Sequence, residues 1–462
     1  MMGPKQEAQS ALFYEFSIED HVPCDHLLRS IDRFVDLDGI RQHLVPFYSS
    51  TGRPSVDPEL MIRMLLIGYS LGIRSERRLC EEVHLNLAYR WFCRLDLADP
   101  VPDHSTFSKN RHGRFRDSDL LRHLFETVVA RCIEEGLVSG QRLAVDASLI
   151  EADTNRQNSS AQSGWALDTM EAADAPRAVQ EYLATLDDAA FGAATPVKPK
   201  FTSHSDPASQ WTAARKGPAY FAYSTNYMID TDNAVILDVE ATRSVRQAEV
   251  GAARTMIDRI AKTFDLNPER LIADTAYGSA PMLDWLVNER GIAPHIPVID
   301  KSGRKDGTFE RADFIYDPAD DAYTCPGGKK LRQFRRTYKT PRSGVDKDGL
   351  MRYRARKSDC DTCDLKDKCT PKAPQRKVTR SIYEPSRDVA RNIAKTTQYA
   401  ISCKLRKKVE MLFAHLKRIL GLNRLRLRGP NGVRDEFHLA ATAQNLRKLA
   451  KLIPAPAKPQ SA

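Results

Sequence analysis

The spacing of apolar residues changes near residue 141 of this 462-residue chain, and that change restricts the possible folds more than any other feature. Before it, apolar residues recur at helical spacing, as in the run from Leu60 to Tyr69 that follows Asp57 and stops at Gly72. After it come short β-favouring runs, beginning with RLAVDASLI at Arg142. We therefore predict an all-helical N-terminal domain followed by a different, sheet-containing architecture.

After residue 141, the sequence predicts several strands and one helix between them. FAYSTNYMIDTDNAVILDVEAT predicts a hairpin around residues 230–233, RLIAD at 270–274 and residues 293–299 predict strands, and residues 280–290 predict a helix. This pattern favours an α/β fold with a mixed sheet. We expect a helical domain over 1–135 and a sheet domain over 136–301 and 375–452. The sheet domain would contain a loosely ordered insertion over 155–215, with one acidic helix near 167–186. A cysteine-containing insertion would separate its two parts over 302–374, and a flexible tail would follow over 453–462.

Positive charge is concentrated near the C-terminus. The chain carries +10 overall, but residues 372–451 alone hold 20 basic and 5 acidic side chains. Such a segment favours a polyanionic partner, with nucleic acid as the leading class. No run approaches the roughly 18 apolar residues of a membrane span, and the polar N-terminus lacks a signal-type run, so we expect a cytoplasmic protein with no membrane partner.

Two carboxylates stand out by position. Asp146 and Asp274 each follow three apolar residues, so each is predicted to end a strand. Carboxylates at that edge of a sheet project into the crevice where α/β sheets bind ligands, and a neighbouring pair would attract divalent cations. The alternative is that each is an ordinary strand-end or turn aspartate, which is the commoner case for either residue taken alone. Tyr277, three residues after Asp274, either stacks on a base or packs under the sheet.

A third acidic residue lies on a predicted helix over 405–420. At about 100° per residue, Arg406, Glu410 and Lys417 fall together beside the apolar stripe that would pack on the sheet. This arrangement places one carboxylate between two cations. Alternatively, Arg406 and Glu410 form a common surface ion pair of a few tenths of a kcal/mol.

These motifs together resemble the insertion-sequence transposases that have an RNase H-like catalytic domain and an Asp, Asp, Glu triad. The first Asp matches Asp146 in AVDAS, the second matches Asp274 in ADTAYGS, and the Arg-x3-Glu-x6-Lys pattern of the last helix matches Arg406, Glu410 and Lys417. RPSVDPELMIRMLLIGYSLGIRSERRLCEEV and PDHSTFSKNR resemble the N-terminal helical module of that family. Cys403 departs from the pattern, because a Tyr usually occupies its place.

The resemblance implies an RNase H-like sheet and a DNA transposase acting on transposon ends and target DNA. Asp146, Asp274 and Glu410 would bind two Mg²⁺ or Mn²⁺ ions, and Arg406 and Lys417 would neutralise phosphates. A homodimer or higher multimer on paired DNA ends is also implied. Two alternatives are a DNA-binding relative that does not cut, and a stand-alone metal-dependent nuclease or Holliday-junction resolvase.

Two further basic segments are candidate DNA contacts. In NRLRLRG, an extended backbone would place three arginines on one side, namely Arg424, Arg426 and Arg428. Near residue 105, a short helix opened by Asp103 or Ser105 is predicted to expose Lys109 and Arg111. That helix either enters a DNA groove or forms ordinary surface.

Four of the nine cysteines cluster in the second insertion as CPGG, CDTC and one more Cys five residues later. Four thiolates would complete a tetrahedral zinc site. Only one half of the set has the two-residue gap of a zinc knuckle, so reduced thiols in a basic insertion are the alternative. The residues concerned are Cys325, Cys360, Cys363 and Cys369.

Overall fold

The computed structural model describes residues 16–49, 51–52, 55–161, 175–188, 190–191, 200–213, 217–300, 302–304, 306–333, 344–347 and 349–454. The tail predicted over 453–462 lies outside the described residues apart from its first two positions. Residues 167–174 of the acidic helix predicted near 167–186 also lie outside them.

The N-terminal part is helical, as predicted. Its best-defined helix begins where Asp57 accepts the backbone N–H of Glu59 at 3.0 Å, has Pro58 at its first position, and ends at Gly72 in the left-handed conformation. The helices are α1 Ile18–His21, α2 Leu27–Asp32, α3 Ile40–Leu44, α4 Pro58–Leu71, α5 Glu76–Leu85, α6 Leu87–Phe92, α7 His104–His112, α8 Arg114–Asp117 and α9 Leu120–Glu134.

A mixed sheet follows. Its strands, with two short strands that pair beside it, are β1 Arg142–Glu151, β2 Ser159–Ala161, β3 Phe201–Ser203, β4 Gln210–Ala213, β5 Ala219–Asp230, β6 Ile236–Arg243, β7 Arg270–Ile272 and β8 Ala293–His295. β1 is central: it pairs antiparallel with β5 and parallel with β7, while β8 continues parallel beyond β7. β5 and β6 form the predicted hairpin. The mixed sheet expected from the sequence is therefore present.

The first insertion contains more regular structure than we predicted. β2 pairs with β3, helix α10 spans Arg177–Ala184, and β4 pairs with β5 at the edge of the main sheet. Residues 210–213 thus extend the central sheet rather than forming part of a loose insertion.

The helices on and beside the sheet close the fold. They are α11 Arg246–Phe264, α12 Ala280–Asp284, which continues as a π-helical turn at Trp285–Glu289, α15 Glu384–Ile393, α16 Thr397–Arg418 and α17 Gly429–Leu452. α17 packs against α2, α4, α9 and β6. One apolar core consequently joins the N-terminal helices, the sheet, α16 and α17.

The cysteine-containing insertion has a small core of its own, built around Phe314, Tyr323 and Tyr353. Its elements are β9 Ile315–Asp317, β10 Ala322–Thr324, β11 Lys330–Leu331, β12 Leu350–Arg354, α13 Lys357–Asp361, α14 Lys366–Cys369 and β13 Lys377–Ser381. Among the described residues, no helix combines the length and apolarity needed to cross a bilayer.

Candidate active site and nucleic-acid interface

Asp146 lies in the middle of β1 and does not end it. The prediction of a strand end was wrong because β1 continues to Glu151, which pairs with Ala222 of β5. Along the edge of β1 that faces β7, pairing ends earlier, because β7 stops at Ile272, opposite Ala144. Asp146 is therefore next to an opening in the sheet, with its Oδ1 accepting the N–H of Ala147 at 2.8 Å.

Asp274 lies just past the end of β7, as the sequence predicted. The parallel register pairs Ala144 with Ile272, and Asp146 and Asp274 each follow their paired residue by two positions. Asp274 opens a short 3-10 turn by accepting the N–H of Ala276 at 2.7 Å. The two aspartates consequently lie on neighbouring segments of the chain, at the same level of the sheet.

Helix α16 brings the third carboxylate to this opening. Phe413 of α16 stacks on Tyr227 with 4.9 Å between ring centroids, and Tyr227 is the residue opposite Asp146 on β5. Glu410 lies one helical turn before Phe413, with its side chain 53% exposed and 3.5 Å from the guanidinium of Arg406. The i, i+4 ion pair that the sequence offered as the alternative interpretation is therefore present, and both of its members act electrostatically on Asp146.

The pKa of Asp146 responds to the charges of the other residues of this site. Burial, together with the nearby carboxylates of Asp274 and Glu410, raises its pKa to about 6, although the N–H of Ala147 and the cation of Arg406 act in the opposite direction. Mutually repelling carboxylates beside a cation are the arrangement expected of a site that binds a positive ion. Lys417 is half-buried two helical turns after Glu410, and burial lowers the pKa of its ammonium.

Sequence reasoning missed a fourth carboxylate near this opening. Glu249, in the first turn of α11, accepts a hydrogen bond from the Ser224 hydroxyl at 2.7 Å, and its pKa is raised by burial and by Asp274. Tyr277 is 2% exposed and packs under the sheet, so it is not available to stack on a base. Burial and the charges of Glu249, Asp146 and Asp274 raise the pKa of Tyr277. The one sequence signal that could have indicated Glu249 is that it is an acidic residue in the first turn of α11.

The donor set suits a hard divalent cation. Carboxylate oxygens are the ligands that Mg²⁺ prefers, and a bound cation relieves repulsion between carboxylates. In the part of the chain that the structure describes, no three His, Cys, Asp or Glu side chains have the arrangement of a completed metal site. The carboxylates thus have the right chemistry for such an ion and lie near one another, but they do not have the geometry of a complete coordination shell.

The arginine strand, our name for residues 423–428, extends the site along the surface. It is a connecting segment with a single β-bridge, at Arg424, and it bends at Arg426 and Leu427. Its backbone pairs with the end of β1, because Leu425 donates to the Glu151 carbonyl at 2.8 Å. Leu425 is buried, and the three intervening arginines are exposed, as the alternation predicted: Arg424, Arg426 and Arg428. The arginine strand therefore begins five residues along β1 from Asp146.

The three arginines differ in their partners. Asp153 pairs with Arg424 at 3.3 Å and with Arg428 at 3.0 Å. No carboxylate among the described residues lies within ion-pair distance of Arg426, which lines a cavity of about 210 Å³ against the N-terminal helices. Arg426 is thus the arginine of the strand whose charge is least compensated.

The basic helix α7 forms as predicted, with Asp103 accepting the N–H of Ser105 at 2.8 Å, but its charges are not all exposed. Lys109 faces solvent, whereas Arg111 is 4% exposed and pairs with Glu76 at 3.1 Å. The predicted exposure of Arg111 is wrong, because a buried guanidinium neutralised by a carboxylate of α5 has no free surface for DNA. Only Lys109 of this pair remains a candidate DNA contact.

The four clustered cysteines line one small cavity of about 20 Å³. Cys325 Sγ accepts the backbone N–H of Lys329 at 3.3 Å, and a Cβ on Gly327 would lie 3.7 Å from that sulfur and 3.5 Å from Cys363 Sγ. Burial raises the pKa of Cys369, as do the other three thiols, against the cation of Arg376. The structure brings the four residues together without completing a metal site.

A mixed sheet that presents facing carboxylates beside a cationic helix and an arginine strand has the features of an enzyme that acts on a polyanion. A family model described as "Transposase domain (DUF772)" matches residues 16–113, which cover the helices up to α7. A second, described as "Transposase DDE domain", matches residues 324–450, which include Glu410, the arginine strand and the cysteines. The two matches indicate an insertion-sequence DDE transposase. Asp146 and Asp274 lie outside both matched ranges.

Proposed function

We propose that this protein binds the terminal inverted repeats of an insertion sequence, cleaves the DNA at the element's ends and joins the freed ends to target DNA. The observation that carries the proposal is the convergence of Asp274, Glu410 and Arg406 on Asp146 at the opening between β1 and β7. The match of residues 324–450 to a DDE domain supports the same class of chemistry.

Asp146, Asp274 and Glu410 would hold two Mg²⁺ or Mn²⁺ ions. When bound, such ions lower the pKa of an attacking water or 3′-hydroxyl and neutralise charge on the leaving oxygen. The chain contributes the position of the carboxylates, two fixed by the sheet and one by α16. Because Asp146 must be ionised to bind a cation, its raised pKa in the metal-free protein predicts that the affinity for Mg²⁺ falls as the pH drops through about 6.

Cations around the carboxylates would bind the DNA backbone. Arg406 and Lys417 lie on α16 on either side of Glu410 along the chain, where they would contact phosphate oxygens near the cleaved bond. The arginine strand would continue this contact away from the site, and Lys109 would add a distant one.

We also infer that the sheet is RNase H-like and that the active form is a homodimer or higher multimer on paired ends. The strand order supports the first inference: β6, β5 and β1 run antiparallel, and β7 and β8 continue parallel to β1. The second inference rests on the resemblance to transposases that act on paired ends.

A Glu410→Gln variant tests the triad. It removes one carboxylate from a surface position without changing size, so we expect DNA-end binding to persist and cleavage to fall by at least about 100-fold, the scale on which catalytic groups act. Glu134→Gln is a matched control, because Glu134 is a 65% exposed helical residue 3.5 Å from Arg131. Cleavage by Glu410→Gln at the rate of the control would contradict the assignment.

For the cysteine cluster we propose one structural Zn²⁺ bound by Cys325, Cys360, Cys363 and Cys369. The shared cavity and the N–H to sulfur hydrogen bond at Cys325 support this proposal. Closing the site would require the thiols to rotate toward one another, since zinc–sulfur bonds are about 2.3 Å long. Such an ion would hold α13 and α14 against the strands of the insertion.

A further inference from the structure

The backbone of the arginine strand is fixed by a buried carboxylate on another element. Glu436 of α17 is fully buried, and its Oε1 accepts the backbone N–H groups of Arg426 and Leu427, each at 2.6 Å. Up to Leu425 the arginine strand pairs with Glu151 of β1. Glu436 therefore binds the two backbone donors just beyond that pairing.

The same carboxylate is anchored to the N-terminal helices. Glu436 Oε2 pairs with the guanidinium of Arg74, whose side chain is 7% exposed and lies 4.2 Å from the ring centroid of Tyr69 in α4. A buried carboxylate is stable only when it is paired and its remaining lone pairs are satisfied. Arg74 and the two backbone N–H groups meet both requirements.

Close backbone contact surrounds this ion pair. Gly72, where α4 ends, has φ +75°, and a Cβ there would lie 2.9 Å from the carbonyl oxygen of Ile419 at the end of α16. Arg447 of α17 donates to the Ser70 carbonyl at 2.8 Å. The end of α4 is thus packed directly against the chain that connects Glu410 to the arginine strand.

We propose that Glu436 is a positioning residue. By accepting the N–H groups of Arg426 and Leu427, it fixes the bend at these two residues and so holds the arginine strand in the course that presents its arginines to DNA. Through Arg74 it fixes that course relative to the N-terminal helices. The proposal rests on the proposed function, because it assumes that the arginine strand contacts phosphates. Glu436 itself touches no DNA.

Two double variants separate positioning from simple stability. Arg74→Met with Glu436→Gln removes both buried charges but keeps an oxygen that accepts the two N–H groups. Arg74→Met with Glu436→Met removes the charges and the acceptor. Replacing a buried ion pair by apolar groups of similar size is often tolerated, so both variants are expected to fold, which thermal melting would verify.

The measurement is the affinity for a labelled DNA fragment carrying the element's ends, in EDTA, at 50 to 200 mM salt. Each phosphate contact contributes about 0.9 to the slope of log affinity against log salt. We expect the Gln-containing variant to keep the wild-type slope. The Met-containing variant should lose between about 0.9 and 2.7 units of slope, equivalent to one to three phosphate contacts, which makes the loss of affinity across that salt range about 3- to 40-fold smaller.

Three outcomes decide the proposal. A wild-type slope in the folded Met-containing variant would overturn it, and so would an equal loss in both double variants, because the acceptor would then be irrelevant. If the triple variant of Arg424, Arg426 and Arg428 keeps the wild-type slope, the DNA contact itself fails, independently of Glu436. Glu181→Gln is a matched control, because Glu181 is a buried carboxylate that pairs with Arg116 and binds the Asn431 N–H of α17 without touching the arginine strand backbone.

Discussion

Replacing Asp146 by Asn should make the metal-free protein more stable. In the folded protein the pKa of Asp146 is raised from 3.8 to about 6, because the half-buried carboxylate is partly desolvated and is repelled by the charges of Asp274 and Glu410. At 1.36 kcal/mol per unit, ionising this group in the folded state costs about 3 kcal/mol at pH 8. Asn has the same shape and keeps an oxygen to accept the Ala147 N–H, so Asp146→Asn should recover most of that free energy of unfolding.

The pH dependence follows from the sign of the shift. A carboxyl whose pKa is higher in the folded state binds its proton more tightly there than in the unfolded state. The destabilisation of the folded protein by ionised Asp146 is therefore absent well below pH 3.8, grows between pH 3.8 and 6, and is constant at higher pH. The stabilisation by Asp146→Asn should therefore be about 3 kcal/mol at pH 8 and about half of that at pH 5. Urea unfolding in EDTA at both pH values measures it.

A control and a metal titration complete this test. Asp258→Asn changes a carboxylate that is 47% exposed and paired with Arg290, and it should alter stability by no more than about 0.5 kcal/mol. Adding Mg²⁺ should stabilise the wild type by mass action and leave Asp146→Asn unchanged. If Asp146→Asn is neutral or destabilising at pH 8, or its effect does not depend on pH, Asp146 is not a repelled, buried carboxylate.

Two further predictions concern the surface and the insertion. Neutralising the arginine strand with glutamines should weaken end binding and lower its salt slope by up to about 2.7 units, measured by fluorescence anisotropy; an unchanged slope would argue against phosphate contacts at Arg424, Arg426 and Arg428. The purified protein should contain about one zinc per chain by elemental analysis, and Cys360→Ser with Cys363→Ser should remove it and lower the melting temperature. A folded wild-type protein without zinc would rule the site out.

Features set by neighbouring residues along the chain were predictable from the sequence. The Asp57 cap and the Gly72 stop of α4, the β5–β6 hairpin and the course of α16 around Glu410 all follow from local periodicity and turn chemistry. Asp274 was correctly located because the strand before it is short and ends locally. These are cases in which the local pattern and the tertiary structure favour the same result.

Features set by distant partners were not predictable. Arg111 has the pattern of an exposed helical cation, but a carboxylate on α5 makes its burial possible. Asp146 follows an apolar run that resembles a strand end, yet pairing with the long strand β5 carries β1 five residues further. Glu436 has no local signal at all, since its partners Arg74 and Arg426 are brought to it by two separate segments of the chain.

Joining of cleaved DNA tests the central claim most directly. Purified protein would be incubated with Mg²⁺, a labelled fragment carrying the element's own ends and a supercoiled target, beside Glu410→Gln and Glu134→Gln. We predict cleavage at the ends and covalent attachment of the freed 3′ ends to the target with the wild type and Glu134→Gln, and neither with Glu410→Gln. Cleaved ends that are never joined would identify a nuclease, and end binding without any cleavage would identify a DNA-binding relative; either result would contradict the transposition mechanism.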